Sequence, residues 1–193
     1  MLGSHNTMTY LPPKKWWMKF INWTAKCQEV DILEQYKLGV RWFDLRVRFV
    51  DDGSNKVRNW EPEFGHGLIS YKGDVFDTIK ALNDIGESPV YVRVLLETSK
   101  PDDLQEACFR RFCTIIEDNY KNLQFIGGEA KYDWKKKYLF KQIYEVPIFA
   151  ESYSSMNEDW TKLNDIFPKR WAKKHNALAR EQYTNIILDY VNI

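Results

Sequence analysis

The chain has 193 residues, with Lys+Arg 28 against Asp+Glu 27 and a formal net charge of +1, so no overall field draws it onto nucleic acid. A 44% hydrophobic and 28% charged composition excludes a disordered chain, three cysteines exclude a disulfide framework, and no uncharged apolar run is long enough to cross a bilayer. The length predicts a single domain over 1–193. Aromatic residues stand out at 16% of the chain, eight of them Trp.

The chain opens Met1-Leu2-Gly3-Ser4-His5-Asn6-Thr7, turning polar at once, so no secretory signal is expected. A first short strand is expected to end at His5. Residues 12–23 (PPKKWWMKFINW) interleave Trp16, Trp17, Phe20 and Trp23 with lysines and contain no acid. Two readings stay open for them: contact with an anionic bilayer interface, or a helix packing its rings inward.

Residues 40–49 (VRWFDLRVRF) read as a strand, with Arg41, Phe43, Leu45, Val47 and Phe49 on one face and Trp42, Asp44, Arg46 and Arg48 on the other. A turn cluster follows at 51–55. Residues 65–70 read as a short strand opening on Gly-His-Gly, followed by an amphipathic helix carrying Val75, Phe76, Ile79 and Leu82. Gly86-Glu87-Ser88-Pro89 breaks the chain before a buried strand at 90–96 (VYVRVLL). A helix is expected from Pro101-Asp102-Asp103 onward, with Leu104, Cys108, Phe112 and Ile115 inward. A short strand is expected at 146–150 (VPIFA), and the poor pattern between 119 and 165 leaves the number of strands there open. A helix at 169–182 and a closing strand at 185–191 (NIILDYV) complete the alternation. Strands separated by helices predict an α/β fold with a largely parallel sheet, and pattern alone leaves barrel and open sheet undecided.

The chain has three histidines. His175 lies among Lys173 and Lys174 and reads as a surface residue. His5 and His66 are flanked by small residues that would let a ligand approach the backbone. Asp44 and Arg46 share one strand face, and Asp189 sits inside an apolar run. Buried ions of this kind need partners, and a histidine would serve Asp189. Two histidines, two buried carboxylates and an arginine together form an acid–base pair with an anion clamp, a set suited to phosphodiester cleavage without a metal. Cys108 and Cys113 read as core packing rather than as a metal site.

In order along the chain, Gly3-Ser4-His5-Asn6-Thr7, the stretch Gln28 to Arg46, His66-Gly67 with Val75-Phe76-Asp77-Thr78-Ile79, Pro89 to Glu97, and Ile187 to Asn192 resemble the catalytic domain of phosphatidylinositol-specific phospholipase C of the small bacterial type. The resemblance implies a compact, irregular TIM-type (β/α) barrel. It implies His5 as the base on the inositol 2-hydroxyl, His66 as the acid on the leaving diacylglycerol oxygen, Asp189 behind His5, Asp44 on the acid side, and Arg46 on the phosphate. Arg46 stands where calcium-dependent relatives carry an acidic ligand, so no metal cofactor is expected and calcium is disfavoured. Asn6 departs from the bacterial aspartate, and Leu95 replaces a basic substrate contact. Asn6, Arg93 and Glu97 are therefore the expected substrate-binding residues, and Trp16, Trp17, Phe20 and Trp23 the membrane contacts. The expected partners are a phospholipid or inositol phosphodiester and, transiently, a membrane surface; a monomer is expected. Two competing readings are a metal-dependent glycerophosphodiesterase-like enzyme, which would want Glu-x-Asp where this chain has Asp44-x-Arg46, and a lipid- or phosphate-binding module without catalysis.

Overall fold

The computed structural model describes residues 1–51, 60–85, 89–98, 102–130 and 168–193. The strands are β1 (Leu2–Ser4), β2 (Val40–Asp51), β3 (Trp60–His66), β4 (Ile69–Ser70), β5 (Val90–Leu96), β6 (Leu123–Ala130) and β7 (Ile186–Leu188). The helices are α1 (Ile32–Lys37), α2 (Val75–Asp84), α3 (Asp103–Asn119) and α4 (Pro168–Gln182). Five strands run parallel in the order β7–β1–β2–β5–β6. The far end of β2 instead pairs antiparallel with β3, from Val47↔Phe64 to Asp51↔Trp60.

The fold is mixed α/β, as the alternation predicts, but the closed barrel is not what the described residues form. Their seven-stranded sheet is open, because β6 and β7 do not pair with each other. Among the described residues five strands run parallel, where a TIM barrel uses eight. The expected strand at 146–150 and the turn at 52–55 lie outside the described residues.

The central strand β2 is buried on both faces, as a parallel strand covered by helices should be. Phe43, Leu45 and Val47 join the apolar core together with Val92, Val94 and Leu96 of β5. The opposite face carries Asp44 and Arg46, and the β2–β5 register sets Asp44 beside Arg93 and Arg46 beside Leu95. One pairing register thus sorts the apolar and ionic side chains to opposite sides.

Each of α1, α2 and α3 begins on an aspartate, Asp31, Asp74 or Asp102, whose carboxylate accepts a backbone N–H three residues on. In α3 the buried stripe is Cys108, Phe109, Phe112, Cys113 and Ile116, so the inward face is rotated from the expected one: Leu104 and Ile115 are only half-buried. The rotation brings Phe109 and Phe112 against Phe49 at the end of β2, with ring centroids 6.3 and 5.9 Å away.

Two further differences bear on the site. His66 ends a strand instead of opening one, because β3 and β4 form an antiparallel hairpin with Gly67 and Leu68 as its two-residue turn. Gly67 has φ +57°, a conformation that a residue with a Cβ adopts at a cost. The closing strand is also shorter than expected, so Asp189 stands just past its end.

Candidate active site

His5 and Asp189 leave neighbouring parallel strands at the same level. Leu188 is in register with Ser4, and the His5 N–H donates to Leu188 O at 3.0 Å. The imidazole Nδ1 then meets Asp189 Oδ1 at 2.6 Å, with both side chains buried. On the far side of the ring, Nε2 lies 2.7 Å from Arg46 Nη2 and 3.2 Å from Asn6 Nδ2. A guanidinium can only donate, so Nε2 must accept and the ring proton must sit on Nδ1, pointing at the carboxylate. That is the tautomer a general base needs.

The backbone turns sharply at both ends of this pair. Asn6 and Tyr190, each next in sequence to a member of the pair, are the non-glycine residues with positive φ among those described, at 46° and 49°. Such conformations cost free energy and persist where their surroundings fix them. The Asn6 N–H donates to Asp44 Oδ2 at 3.1 Å. Tyr190 is held by its N–H on Cys27 O at 2.6 Å and by its hydroxyl on Lys26 O at 2.7 Å.

Arg46 projects from β2 between two carboxylates. Its Nε lies 3.0 Å from Asp44 Oδ2, and its Nη1 lies 3.6 Å from Glu97 Oε2. Burial by itself would raise the Asp44 pKa, but the Arg46 guanidinium, then Arg93 and His5, hold the carboxyl well below its ordinary range. The same two acids keep Arg46 firmly charged against its own burial. Arg93 reaches Asp44 at 3.9 Å and is the more open of the two cations, with 31% of its side chain exposed.

His66 faces His5 across the site, with ring centroids 6.3 Å apart and planes at 79°. Its Nδ1 lies 2.7 Å from Ala25 O, an acceptor that places the ring proton there. Its Nε2 lies 3.2 Å from the Asn6 amide, which therefore bridges the two imidazoles. Glu97 steadies the turn behind His66 by accepting the Gly67 N–H at 2.8 Å, and Arg48 Nη2 donates to Gly67 O at 2.9 Å. Gly65 makes room for Arg48: a Cβ there would lie 2.2 Å from its Nε.

The structure therefore gathers His5, Asn6, Asp44, Arg46, His66, Arg93, Glu97 and Asp189 into one connected cluster of side chains. Asp44 is turned to Arg46 and the Asn6 N–H, while the Ala25 carbonyl stands on the His66 ring. Glu97, nearly buried, is directed at Arg46 and the Gly67 turn. His175 lies elsewhere, stacked on Trp171 with centroids 3.7 Å apart.

A layer of buried amides and hydroxyls holds this frame, and the sequence offered little signal for it. Gln28 Nε2 donates to His5 O and Leu188 O, both at 3.0 Å, while its Oε1 accepts the Val191 N–H. Gln35 accepts from Ser4 Oγ at 2.6 Å and donates to Thr7 O. Thr9 Oγ1 accepts the N–H groups of Cys27 and Gln28, both at 2.9 Å. Asn176, from α4, donates to Asp189 O at 2.9 Å and to Tyr190 O at 3.0 Å. Glutamine is usually a surface residue, so its pattern in sequence does not announce a buried tie.

The aromatic segment forms two turns of 3-10 helix, Trp16–Phe20 and Asn22–Thr24, beside the site. Trp16 is 73% exposed and Phe20 71%, with Trp17 and Trp23 also exposed, while Met18 points into the core. The inward-packed reading therefore fits Met18 and not these four rings. The segment is pinned by Lys14, which pairs with Glu63 at 2.7 Å, and by the Pro13↔Tyr71 bridge.

No protein-family model matches the sequence, and no curated protein matches it. Solved structures do match the fold. Phosphatidylinositol-specific phospholipase C from Listeria monocytogenes superposes with a TM-score of 0.62 over 98% of this chain and 87% of that one, at 15% identity. A Staphylococcus aureus structure concerned with modulating membrane binding of the same enzyme gives 0.60 over 98% and 85%, at 14% identity. A double mutant of that S. aureus enzyme gives 0.61 over 98% and 84%, at 16% identity. At these identities the likeness is one of fold.

Proposed function

We propose that this protein is a metal-independent phosphodiesterase of the phospholipase C type, acting on phosphatidylinositol-like lipids. The observation that carries the reading is the carboxylate-backed imidazole of His5, 2.6 Å from Asp189, facing a second imidazole 6.3 Å away with a guanidinium on its free nitrogen. In the reaction, His5 Nε2 takes the proton of the inositol 2-hydroxyl and the hydroxyl oxygen attacks phosphorus in line. The bond from phosphorus to the diacylglycerol oxygen breaks, and His66, starting as the imidazolium with its Nδ1 proton held on Ala25 O, gives that oxygen the proton on Nε2 and returns to the neutral ring. Arg46 and Arg93 neutralise the phosphate charge that builds as this happens. The products are a cyclic inositol phosphate and diacylglycerol. Asn6, between the two rings, positions both.

The donor set supports the absence of a metal step. Asp44 and Glu97 would be the natural oxygen ligands for a hard cation such as calcium, but the Arg46 guanidinium already lies between them. A divalent ion there would face a fixed positive charge at contact distance.

Phosphorus NMR of the protein with phosphatidylinositol in mixed micelles tests the reaction. A five-membered cyclic phosphate is expected as the first product, formed at the same rate with and without a chelator. Binding with no product would leave a lipid-binding module. A linear phosphomonoester as first product, or activity abolished by chelation, would place the chain among metal-dependent hydrolases.

The exposed rings with Lys15 and Lys19 form the proposed lipid-facing edge. Trp and Lys suit the headgroup region, where rings sit at the boundary and ammonium groups meet anionic phosphates. Replacing Trp16 and Phe20 together by alanine is expected to weaken binding to phosphatidylglycerol vesicles about tenfold or more, since partial burial of two rings is worth roughly 2 kcal/mol. Turnover of a water-soluble inositol phosphodiester should be spared. Vesicle co-sedimentation unchanged by the double substitution would remove the segment from the interface.

A further inference from the structure

Behind the base lies a buried thiol that the reaction does not use. Cys27 is 1% exposed, and its sulfur lies 3.7 Å from the Asn6 amide nitrogen and 3.6 Å from Ala25 O. One donor atom each from His5, Cys27 and Asp189 all lie within 4.8 Å of one another. We propose that these three residues form a binding site for a thiophilic divalent cation of the zinc class, and that the bound ion inhibits the enzyme by occupying its base.

The donor set selects the ion. One sulfur, one imidazole nitrogen and one carboxylate oxygen are the ligands of a borderline-soft cation, whereas calcium and magnesium require six or more oxygens. With ordinary zinc bond lengths, tetrahedral geometry separates such donors by about 3.3–3.6 Å. The donors here lie within 4.8 Å of one another, and the 2.6 Å His5–Asp189 contact must open to admit the ion. Three protein ligands leave the fourth position for water.

The charges balance as well. On binding, the Cys27 S–H bond breaks, its proton leaves to solvent and a metal–sulfur bond forms. Thiolate and carboxylate then cancel the two positive charges of the ion, so the buried site closes neutral. Coordination runs through His5 Nδ1, the nitrogen that meets Asp189, because Arg46 Nη2 stands 2.7 Å from Nε2; it drives the ring proton onto Nε2 and displaces the Arg46 contact there. The nitrogen that should accept the substrate proton is thereby lost. Arg46 lies between Asp44 and Glu97 and also reaches His5 Nε2 at 2.7 Å, so it blocks the oxygen pair and the Nε2 side and leaves the ion the Nδ1 side, where Asp189 and Cys27 stand. A cation therefore meets this pocket as a poison and not as a cofactor.

The inhibitory half of the proposal rests on the catalytic reading above; the binding half does not, and the test separates them. Cadmium chloride added to the full chain should produce the near-ultraviolet absorption of a cadmium–thiolate bond, saturating at one equivalent, with zinc competing it away. Cys27→Ser should abolish the band. Zinc inhibition, measured against each protein's own uninhibited rate, should weaken about tenfold or more in the same variant. No band, or a band that persists in Cys27→Ser, overturns the site. Should Cys27→Ser fail to fold, X-ray absorption at the zinc edge of the unaltered protein decides: one sulfur among nitrogen and oxygen ligands supports the site, and ligation without sulfur overturns it. If the protein proves to have no phosphodiesterase activity, the cadmium band still reads the site by itself.

Discussion

Alanine in place of His5 or His66 is expected to lower kcat for an inositol phosphodiester by about a thousandfold or more, because each ring carries one of the two proton transfers and such transfers contribute roughly 10²–10⁴-fold. The two losses should not multiply. Once the base is gone the concerted path is lost, so the double variant should be little worse than the poorer single one. Asp189→Asn tests a different step. It leaves the His5 ring in place but replaces the carboxylate that accepts its Nδ1 proton with an amide that can present a donor there. A fall of about a hundredfold in kcat, with KM little changed, is expected. The pH–rate profile of the unaltered enzyme should be bell-shaped, since one ring must start neutral and the other protonated. Each variant should lose one limb of the bell. Two histidine variants that retain more than a tenth of wild-type turnover would end the acid–base assignment.

The second large effect concerns stability. Arg46→Met leaves Asp44 and Glu97 buried without the guanidinium between them, and breaking a buried pair in this way costs about 3–5 kcal/mol. The sign of the pH dependence follows from Asp44. Its carboxyl is held below the ordinary range in the folded protein, so its stabilisation is fully present above the unfolded value of about 3.9 and is lost as pH falls below it. Without Arg46 the folded carboxyl rises instead, and protonation relieves the strain. The stability deficit of Arg46→Met should therefore be large at pH 7 and shrink toward pH 4. Adding Asp44→Asn should recover much of the neutral-pH stability and none of the turnover. Urea unfolding at both pH values measures this. An equal deficit at both would mean that packing, not charge, is what Arg46 contributes.

Much of this arrangement could be read from the residues, and what could not has physical reasons. The alternation in β2 and β5 was plain, and period 2 alone put Asp44 and Arg46 on one face. The need of Asp189 for a partner followed from its apolar surroundings, and His5 is that partner. Strand β6 lies where the pattern from 119 to 165 is poor: Gly127 and Gly128 carry no side chain to show an alternation, and in the sheet they sit just past a bulge at Ile126, opposite Arg93 and Val94. The setting of His66 was invisible for another reason. What holds its ring is the carbonyl of Ala25, and a main-chain oxygen leaves no mark in an amino-acid pattern. The ties made by Gln28, Gln35 and Asn176 escaped because each works through contacts distant in sequence.

The junction of β1 with β7 carries a consequence for how activity arises. The base and its carboxylate stand 184 positions apart and meet only because the last strand lies alongside the first. Contacts so distant along the chain are slow to form, since a long loop must close before they yield anything. A refolding intermediate in which β2 and β5 have paired but β7 has not docked would possess Arg46, Arg93 and both imidazoles without the Asp189 carboxylate that the proposed base requires. On the proposed mechanism, recovery of catalysis during refolding should trail recovery of the central strands.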